Sequence, residues 1–457
     1  MRRRDGRAPA FGSPIPLPRN ERYNRPTMTF SIIAFVCIGL VLFLVILILF
    51  EPSLPYRVKT PDVPIDSDRY LSLLGAVAAV EVHRGSSIDV LVEGRVFYEA
   101  ELESIRAARH SIHLEAFLFT PSEIAQRFVD ALAECALAGV EVRVVLDWIG
   151  SFHCPNRYFN KLREAGGRIA WYQPLRWYTF KRFNNRTHRE VLVIDGTTGF
   201  IGGAGIADHW MIGDNDGKLP WRDMMCRVRG DMVVGLQTTF AENWLESTGE
   251  ILDVAAEFHL AAHDNPGAPP PGDVRGLVVI SSPTAGRASR ARVLFQVLLA
   301  SAARTIHINS PYFLPDRSAR AELIKAAKER GVKIKVITPG PNNNHPMTGL
   351  ASRRIYGELL QAGIEIYEYQ PGMIHKKALA VDGVWSVVGS TNFDTRSFGL
   401  NDEVNLAAQD SATAQRLQED FELELSHSRA VTYEEWLRRP LKERVLAVIG
   451  RIMERQE

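Results

Sequence analysis

Short runs of β-branched and apolar residues alternate along this chain with longer stretches in which apolar positions return every three or four residues. From Ser111 the sequence reads Ser-Ile-His-Leu-Glu-Ala-Phe-Leu-Phe, followed by a helical pattern from Ile124 to Ala138 and a second apolar run ending at Leu146. The same order recurs from Thr305: Thr-Ile-His-Ile-Asn-Ser-Pro-Tyr-Phe, a helical pattern from Ser318 to Arg330, then an apolar run ending at Ile337. Strand period alternating with helix period marks α/β units. Its recurrence predicts two similar halves built on one pattern.

A second recurrence is sharper. Thr187-His188-Arg189-Glu190-Val191-Leu192-Val193-Ile194-Asp195-Gly196 leads to Gly202-Gly203-Ala204-Gly205, and Ile374-His375-Lys376-Lys377-Ala378-Leu379-Ala380-Val381-Asp382-Gly383 leads to Gly389-Ser390-Thr391-Asn392. In both, the aspartate follows the histidine by seven residues and the first glycine follows the aspartate by seven. Two apolar strands flanking Asp-Gly predict a β-hairpin, with glycines giving backbone room at its far end.

Met28 to Phe50 is a run of 23 residues without a charge, enough at about 1.5 Å per residue to cross a hydrocarbon layer about 30 Å thick. Its length, the long basic segment before it and the lack of a small-residue cleavage pattern after it favour a retained anchor over a cleaved signal peptide. Residues 1–27 hold seven arginines against Asp5 and Glu21, a net +5, so the rest of a chain of net charge +1 carries −4. The positive-inside rule then leaves the tail in the cytoplasm and the body outside it. An acidic body also lacks the basic footprint of a protein that grips nucleic acid through its phosphates. The expected organisation is a basic tail (1–27), a transmembrane helix (28–50), a stalk (51–70), a first domain (71–262), a Pro- and Gly-rich linker (263–276) and a second domain (277–457).

His375 and Lys377 lie two apart and so share a strand face, and Ser390 and Asn392 recur with the same period on the returning strand. An imidazole, an ammonium, a hydroxyl and an amide converging above a sheet form a donor-rich pocket suited to phosphate oxygens. This arrangement resembles the phospholipase D superfamily, whose signature is His-x-Lys, four residues, Asp, six residues, Gly-Ser or Gly-Gly, x, Asn. His375, Lys377, Asp382, Gly389, Ser390 and Asn392 match it in full. Tyr369 to Met373, Ser310 to Asp316, Asn392 to Ser397, Asn401-Asp402-Glu403 and Pro220-Trp221-Arg222-Asp223 resemble its cardiolipin synthase branch, and the likeness spans roughly Ile88 to Leu425.

The first motif departs twice: Glu190 stands at the lysine position and Gly205 at the asparagine position, whereas His188, Asp195, Gly202 and Gly203 match. Three readings follow. A neighbouring cation, Arg186 or Arg222, supplies the missing charge, since Arg189 falls on the wrong face of a regular strand; or the first half is weakened; or Glu190 binds a substrate hydroxyl or amine. The first is preferred because His188 is retained.

The resemblance implies an α/β fold of two fused phospholipase D-like domains, with mixed sheets flanked by helices, and a ping-pong exchange at one site. It implies attack on phosphorus by His188, acid and base duty for His375, phosphate binding by Lys377, Ser390, Asn392 and Gly203, orientation of the histidines by Asp195 and Asp382, and a secondary orienting role for Glu115 and Glu403. No metal and no cofactor are called for. The aromatic and basic run from Trp171 to Phe183 suits the surface of an anionic bilayer as well as a core strand with a solvated loop or a single-stranded nucleic-acid groove. With the anchor attached, the expected partners are an anionic phospholipid bilayer and phosphatidylglycerol, with no stable nucleic-acid partner. The expected activity joins two phosphatidylglycerol molecules into cardiolipin and glycerol at a bacterial inner membrane. The rivals are a membrane-tethered phosphodiesterase or nuclease and a lipid-binding scaffold with a degenerate first half-site.

Overall fold

A computed structural model describes residues 32–43, 56–175, 177, 184–213, 219–252, 272–283, 288–440 and 443. Residues 32–43 form an exposed helix in a unit of their own, and the body begins at Ser53. The remainder of the expected membrane span, the basic tail, most of the expected linker and most of the aromatic-basic run lie outside the described residues. Among those described, no helix is long and apolar enough to cross a membrane.

The fifteen strands among the described residues form one sheet. Those of the first half are β1 (His83–Val92), β2 (Ser111–Ala116), β3 (Glu141–Asp147), β4 (Arg168–Tyr172), β5 (Val191–Ile194), β6 (Thr198–Gly202) and β7 (Met224–Arg229). The second half supplies β8 (Val274–Ser281), β9 (Thr305–Asn309), β10 (Lys333–Pro339), β11 (Glu365–Tyr369), β12 (Ala378–Val381), β13 (Trp385–Gly389), β14 (Glu403–Gln409) and β15 (Ser428–Ala430). Their order is β15-β11-β10-β9-β12-β13-β14-β8-β1-β7-β6-β5-β2-β3-β4. Apart from β15 the sequence of pairings reads the same from either end, so the repeat is a two-fold pattern hinged on the antiparallel contact of β1 with β8. Each half has parallel and antiparallel neighbours, β2 with β3 and β5, β9 with β10 and β12.

The helices that matter for the site are α1 (Asp68–Ala78), α2 (Met232–Thr248), α3 (Pro346–Gln361) and α4 (Ser411–Ser426). Val191 and Val193 point into a core with Met232, Val233 and Leu236 of α2, while Leu192 and Ile194 enter the core on the opposite face. The first of these cores also takes Val278, Val388, Val404 and Leu417, so it runs beneath both halves. The repeat extends to its packing: His113 stacks on Phe240 and His307 on Phe421, both at 4.7 Å.

Two expected boundaries are corrected. Residues 51–70 were expected to form a stalk, yet Tyr56, Val58, Val63 and Ile65 pack on the core of the second half. Trp385 Nε1 donates to the Ile65 carbonyl at 2.7 Å, Gln409 Nε2 donates to Ile65 and Ser67 at 3.0 Å, and Tyr56 N donates to Ser318 Oγ at 2.9 Å. Helix α1 follows, capped by Ser67, and buries Tyr70, Leu71 and Leu74 against Leu277, Leu294 and Leu298. A Pro-containing segment looks like a spacer in composition, but its apolar residues gain more by covering this core than by facing water. The second correction concerns the join: β8 begins at Val274, inside the expected linker, because an edge strand leaves its backbone groups unpaired and β1 pairs them.

Candidate active site

Strand alternation puts the two motifs in place. Arg189 shares the face of Val191 and Val193 and is buried toward α2, where it donates to Thr239 O at 3.1 Å and pairs with Glu242 at 2.6 Å. Lys376, its counterpart, is buried against Asp420 at 2.7 Å and Glu424 at 2.6 Å on α4. His188, Glu190, His375 and Lys377 therefore fall on the other side of their chains.

Each histidine is held by the opposite half. The His188 N–H donates to the Asp402 carbonyl at 2.9 Å, and its Nδ1 lies 3.1 Å from Glu403 Oε2. The His375 N–H donates to the Arg222 carbonyl at 2.8 Å, and its Nδ1 lies 3.0 Å from Asp223 Oδ2. Nδ1–H donated to a carboxylate fixes the tautomer and leaves Nε2 as the reactive nitrogen of both rings. Phe117 abuts His188 at 5.1 Å, and Trp210 and Trp221 flank His375 at 5.6 and 5.4 Å.

Lys377 Nζ sits within 3.1 Å of both His375 ring nitrogens and donates to the Gly203 carbonyl at 3.1 Å. A side chain at Gly203 would lie 2.7 Å from Lys377 Cδ, so the glycine is what lets the ammonium reach across. Burial and the Lys377 charge push His375 down to about 3, leaving it neutral among protein groups alone. Burial acts to raise Asp223, but its hydrogen bond with His375 and the Lys377 charge hold it below the usual carboxylate range. Burial lowers Lys377 while the Asp223 and Glu403 carboxylates support its charge. An anionic phosphodiester entering here would meet this ammonium and raise the proton affinity of His375.

The remaining expected residues divide. Ser390 Oγ donates to Glu403 Oε2 and so steadies the carboxylate that holds His188. Asn392 is buried, and its Oδ1 has no hydrogen-bond partner among the described residues, an orphaned amide end of the kind a ligand satisfies. Glu403 touches His188 directly. Glu115 does not: it accepts from Thr187 Oγ1 and Asn243 Nδ2, bracing the residue before the histidine, and burial pushes its carboxyl up to about 7.

Asp195 and Asp382 are corrected from orienting carboxylates to loop anchors. Both sit in hairpin turns with φ of +51° and +55°. Asp195 accepts from the N–H groups of Arg109, His110 and Ser111, and Asp382 from those of Ala303, Arg304 and Thr305, fixing where β2 and β9 begin. Seven residues from the histidine, at the far end of a four-residue strand, they cannot reach it.

Arg186 and Arg222 are corrected as well. Arg186 is paired with Asp147 at 3.1 Å and donates to the Tyr172 and Gln173 carbonyls. Arg222 turns to Asp420, Glu424 and Glu93. Their charges are already matched, so neither replaces the missing lysine. Glu190 needs no such cation. Its Oε1 accepts from the Phe117 and Leu118 N–H groups at 3.2 and 3.3 Å, and burial pushes its carboxyl well above the usual range, so it is carried neutral. A Cβ at Gly205 would lie 3.1 Å from Glu190 Oε1 and 2.6 Å from the Leu118 carbonyl. A side chain at 205 is thus excluded first by Leu118, whose carbonyl and Cβ lie closest, and then by the Glu190 carboxyl, so the two departures sit side by side in one packed corner.

Asp223 is the orienting residue that motif reading missed. The register could have found it: Gly202 pairs with Met225 and Gly389 with Asn405, so Asp223 occupies the place of Glu403.

Comparison with known proteins follows this geometry. A family model described as "Cardiolipin synthase, PLD-like domain" matches residues 102–214 and 296–424. The major cardiolipin synthase of Bacillus subtilis (strain 168) is 33% identical over 369 residues, covering 80% of this chain and 75% of that one. A cardiolipin synthase of Geobacillus thermodenitrificans (strain NG80-2) is 31% identical over 412 residues, covering 89% and 80%. The crystal structure of phosphatidylserine synthase from Haemophilus influenzae Rd KW20 superposes with a TM-score of 0.60 at 16% identity, over 81% of this chain and 94% of that one, a likeness of fold.

Proposed function

The chain belongs to the cardiolipin synthase family with phospholipase D-like domains, and on that premise we propose that it joins two phosphatidylglycerol molecules into cardiolipin and glycerol. The observation that carries the chemistry is the pair of histidines, each hydrogen-bonded to a carboxylate of the opposite half. His188 Nε2 attacks phosphorus of the first lipid; the bond to its glycerol oxygen breaks, and glycerol leaves with a proton from His375. A headgroup hydroxyl of the second lipid gives its proton to His375 and attacks phosphorus, the P–N bond breaks, and cardiolipin is released. Because His375 is neutral among protein groups alone, it takes up a proton from solvent when the phosphodiester anion binds and offsets the Lys377 charge. The Lys377 ammonium and the Asn392 amide N–H donate to the phosphoryl oxygens as charge develops on them, and Asn392 Oδ1 is left to accept from a substrate hydroxyl. The enzyme is held at a bacterial inner membrane by the apolar run at 28–50, with the body outside the cytoplasm; a reporter after Glu457 active only in the cytoplasm contradicts that orientation.

The assay is the protein in mixed micelles with labelled phosphatidylglycerol. Cardiolipin with free glycerol is expected; phosphatidic acid alone, or unchanged lipid with cleavage of single-stranded nucleic acid, contradicts the reading.

The neutral Glu190 yields a separate expectation. Glu190→Gln keeps an acceptor for the Phe117 and Leu118 N–H groups and stays close to wild type. Glu190→Lys orphans both groups, at about 1–3 kcal/mol for each buried donor, and adds a second ammonium beside Lys377, so transfer falls by roughly tenfold or more. Steady-state turnover of the folded variants checks this, and a gain of activity by Glu190→Lys contradicts it.

A further inference from the structure

A cavity of about 540 Å³ opens beside His375, lined by Asp208, His209, Ile212, Leu219, Trp221, Asn342, Asn343, Asn344 and Met373 among others. That is within the range of small-molecule sites, roughly 300–1,000 Å³. Two of its lining residues neighbour the reacting imidazole, one in space and one along the chain. Trp221 stands 5.4 Å from the His375 ring, and Met373 precedes it by two residues. Tyr312, 6.4 Å from the same ring, is tied to the cavity by its hydroxyl, which exchanges hydrogen bonds with the Asn344 amide at 2.9 and 3.1 Å.

The lining has a definite chemistry. Three consecutive asparagines precede α3, and the described lining contains no lysine or arginine. Its single carboxylate, Asp208, accepts from the Glu123 and Ile124 N–H groups at 3.1 and 2.9 Å and is committed there. His209 is clamped between Trp210 and Trp221 at 4.0 and 3.9 Å, and burial lowers it to about 4, so it is neutral; its Nε2 is buried without a partner among the described residues. Asn342 Nδ2 donates to the Gln370 carbonyl at 3.0 Å and Asn343 Oδ1 accepts from the His345 N–H at 2.8 Å, so Asn342 presents its oxygen and Asn343 its NH2; together with a neutral imidazole and apolar walls these suit an uncharged group with several hydroxyls. Among the described lining residues no cation faces a second phosphate, and the one carboxylate, Asp208, is already engaged by two N–H groups.

We propose that this cavity binds the polyol end of the alcohol that leaves through, or arrives at, His375: the glycerol headgroup of the accepting phosphatidylglycerol, or free glycerol in the reverse reaction. The assignment rests on the phosphatidyl-transfer reading and deepens it by naming what selects the acceptor. The alcohol oxygen that exchanges its proton with His375 must lie at that ring, and the cavity is where the rest of the alcohol extends. Without the amides, water competes better for the phosphohistidine.

The test is product partition, which is independent of how much enzyme is folded or how fast the first step runs. Asn343→Leu/Asn344→Leu in the full chain, given phosphatidylglycerol, should lower the ratio of cardiolipin to phosphatidic acid by about tenfold, the size expected from losing one or two hydrogen bonds. Wild-type and variant are also given cardiolipin and free glycerol. A matching fall in phosphatidylglycerol formation relative to phosphatidic acid shows that the site takes the free polyol too, whereas a fall confined to the lipid acceptor assigns it to the headgroup. An unchanged ratio in both arms, with or without a drop in total rate, overturns the proposal. A wild type that forms no transfer product with either acceptor removes the transfer reading instead.

Discussion

His188→Ala should reduce transfer to background. The imidazole is the group placed to form the covalent bond to phosphorus, with Nδ1 committed to Glu403 of the opposite half and Nε2 left to react. Removing a nucleophile takes away the intermediate and not merely some stabilisation of it. Glu403→Gln should be milder. It keeps one oxygen that can accept from both Nδ1–H and Ser390 Oγ but replaces the carboxylate by a neutral amide. Turnover measured per folded molecule checks both. Near-normal turnover by His188→Ala contradicts the assignment, and a Glu403→Gln variant as inactive as His188→Ala makes the carboxylate more than an orienting group.

Lys377→Ala should reduce turnover by about 10² or more, the order found when one preorganised donor to a developing oxyanion is removed. It is the only lysine at either phosphate position, since Glu190 fills the other. Its removal also leaves the Asp223 and Glu403 carboxylates with less opposing charge. Lys377→Arg should not restore activity, because the Lys377 stem already runs within 2.7 Å of where a side chain on Gly203 would begin, and a planar guanidinium is wider than an ammonium. The same loss should appear in kcat more than in KM, because the oxyanion charge peaks in the transition state. A tenfold rise in KM with kcat unchanged would reduce Lys377 to a substrate tether.

The sequence carried the repeat because its cause is local. Asp-Gly turns, β-branched runs and the seven-residue spacings specify each hairpin within about twenty residues, so β5–β6 and β12–β13 were legible as strands, and the face alternation that buries Arg189 and Lys376 was legible with them. Of the histidine partners, Glu403 was named only as a secondary orienting carboxylate, and Asp223 was given no role. Asp223 and Glu403 reach His375 and His188 because β1 and β8 join the halves into one sheet, a contact between edges that no local pattern encodes. Motif reading gave the orienting role to Asp195 and Asp382, the carboxylates nearest in the signature, although a strand's length separates each from its histidine. Charge counting failed for a similar reason: Arg186 and Arg222 were candidate cations until their own partners, Asp147 and the α4 carboxylates, were in view. The segment at 56–67 has a spacer's composition, and only the exposed flank of the second core explains why it lies down.

At the centre of this account is one covalent exchange site shared by two halves, with the first-half histidine as nucleophile. The most direct test is a base quench of the wild-type protein mixing with phosphatidylglycerol labelled at phosphorus, followed by mapping of the labelled peptide. The account predicts transient label on His188, formed and consumed fast enough to support cardiolipin production. Label on His375, or cardiolipin appearing with no labelled enzyme at any time, would contradict it.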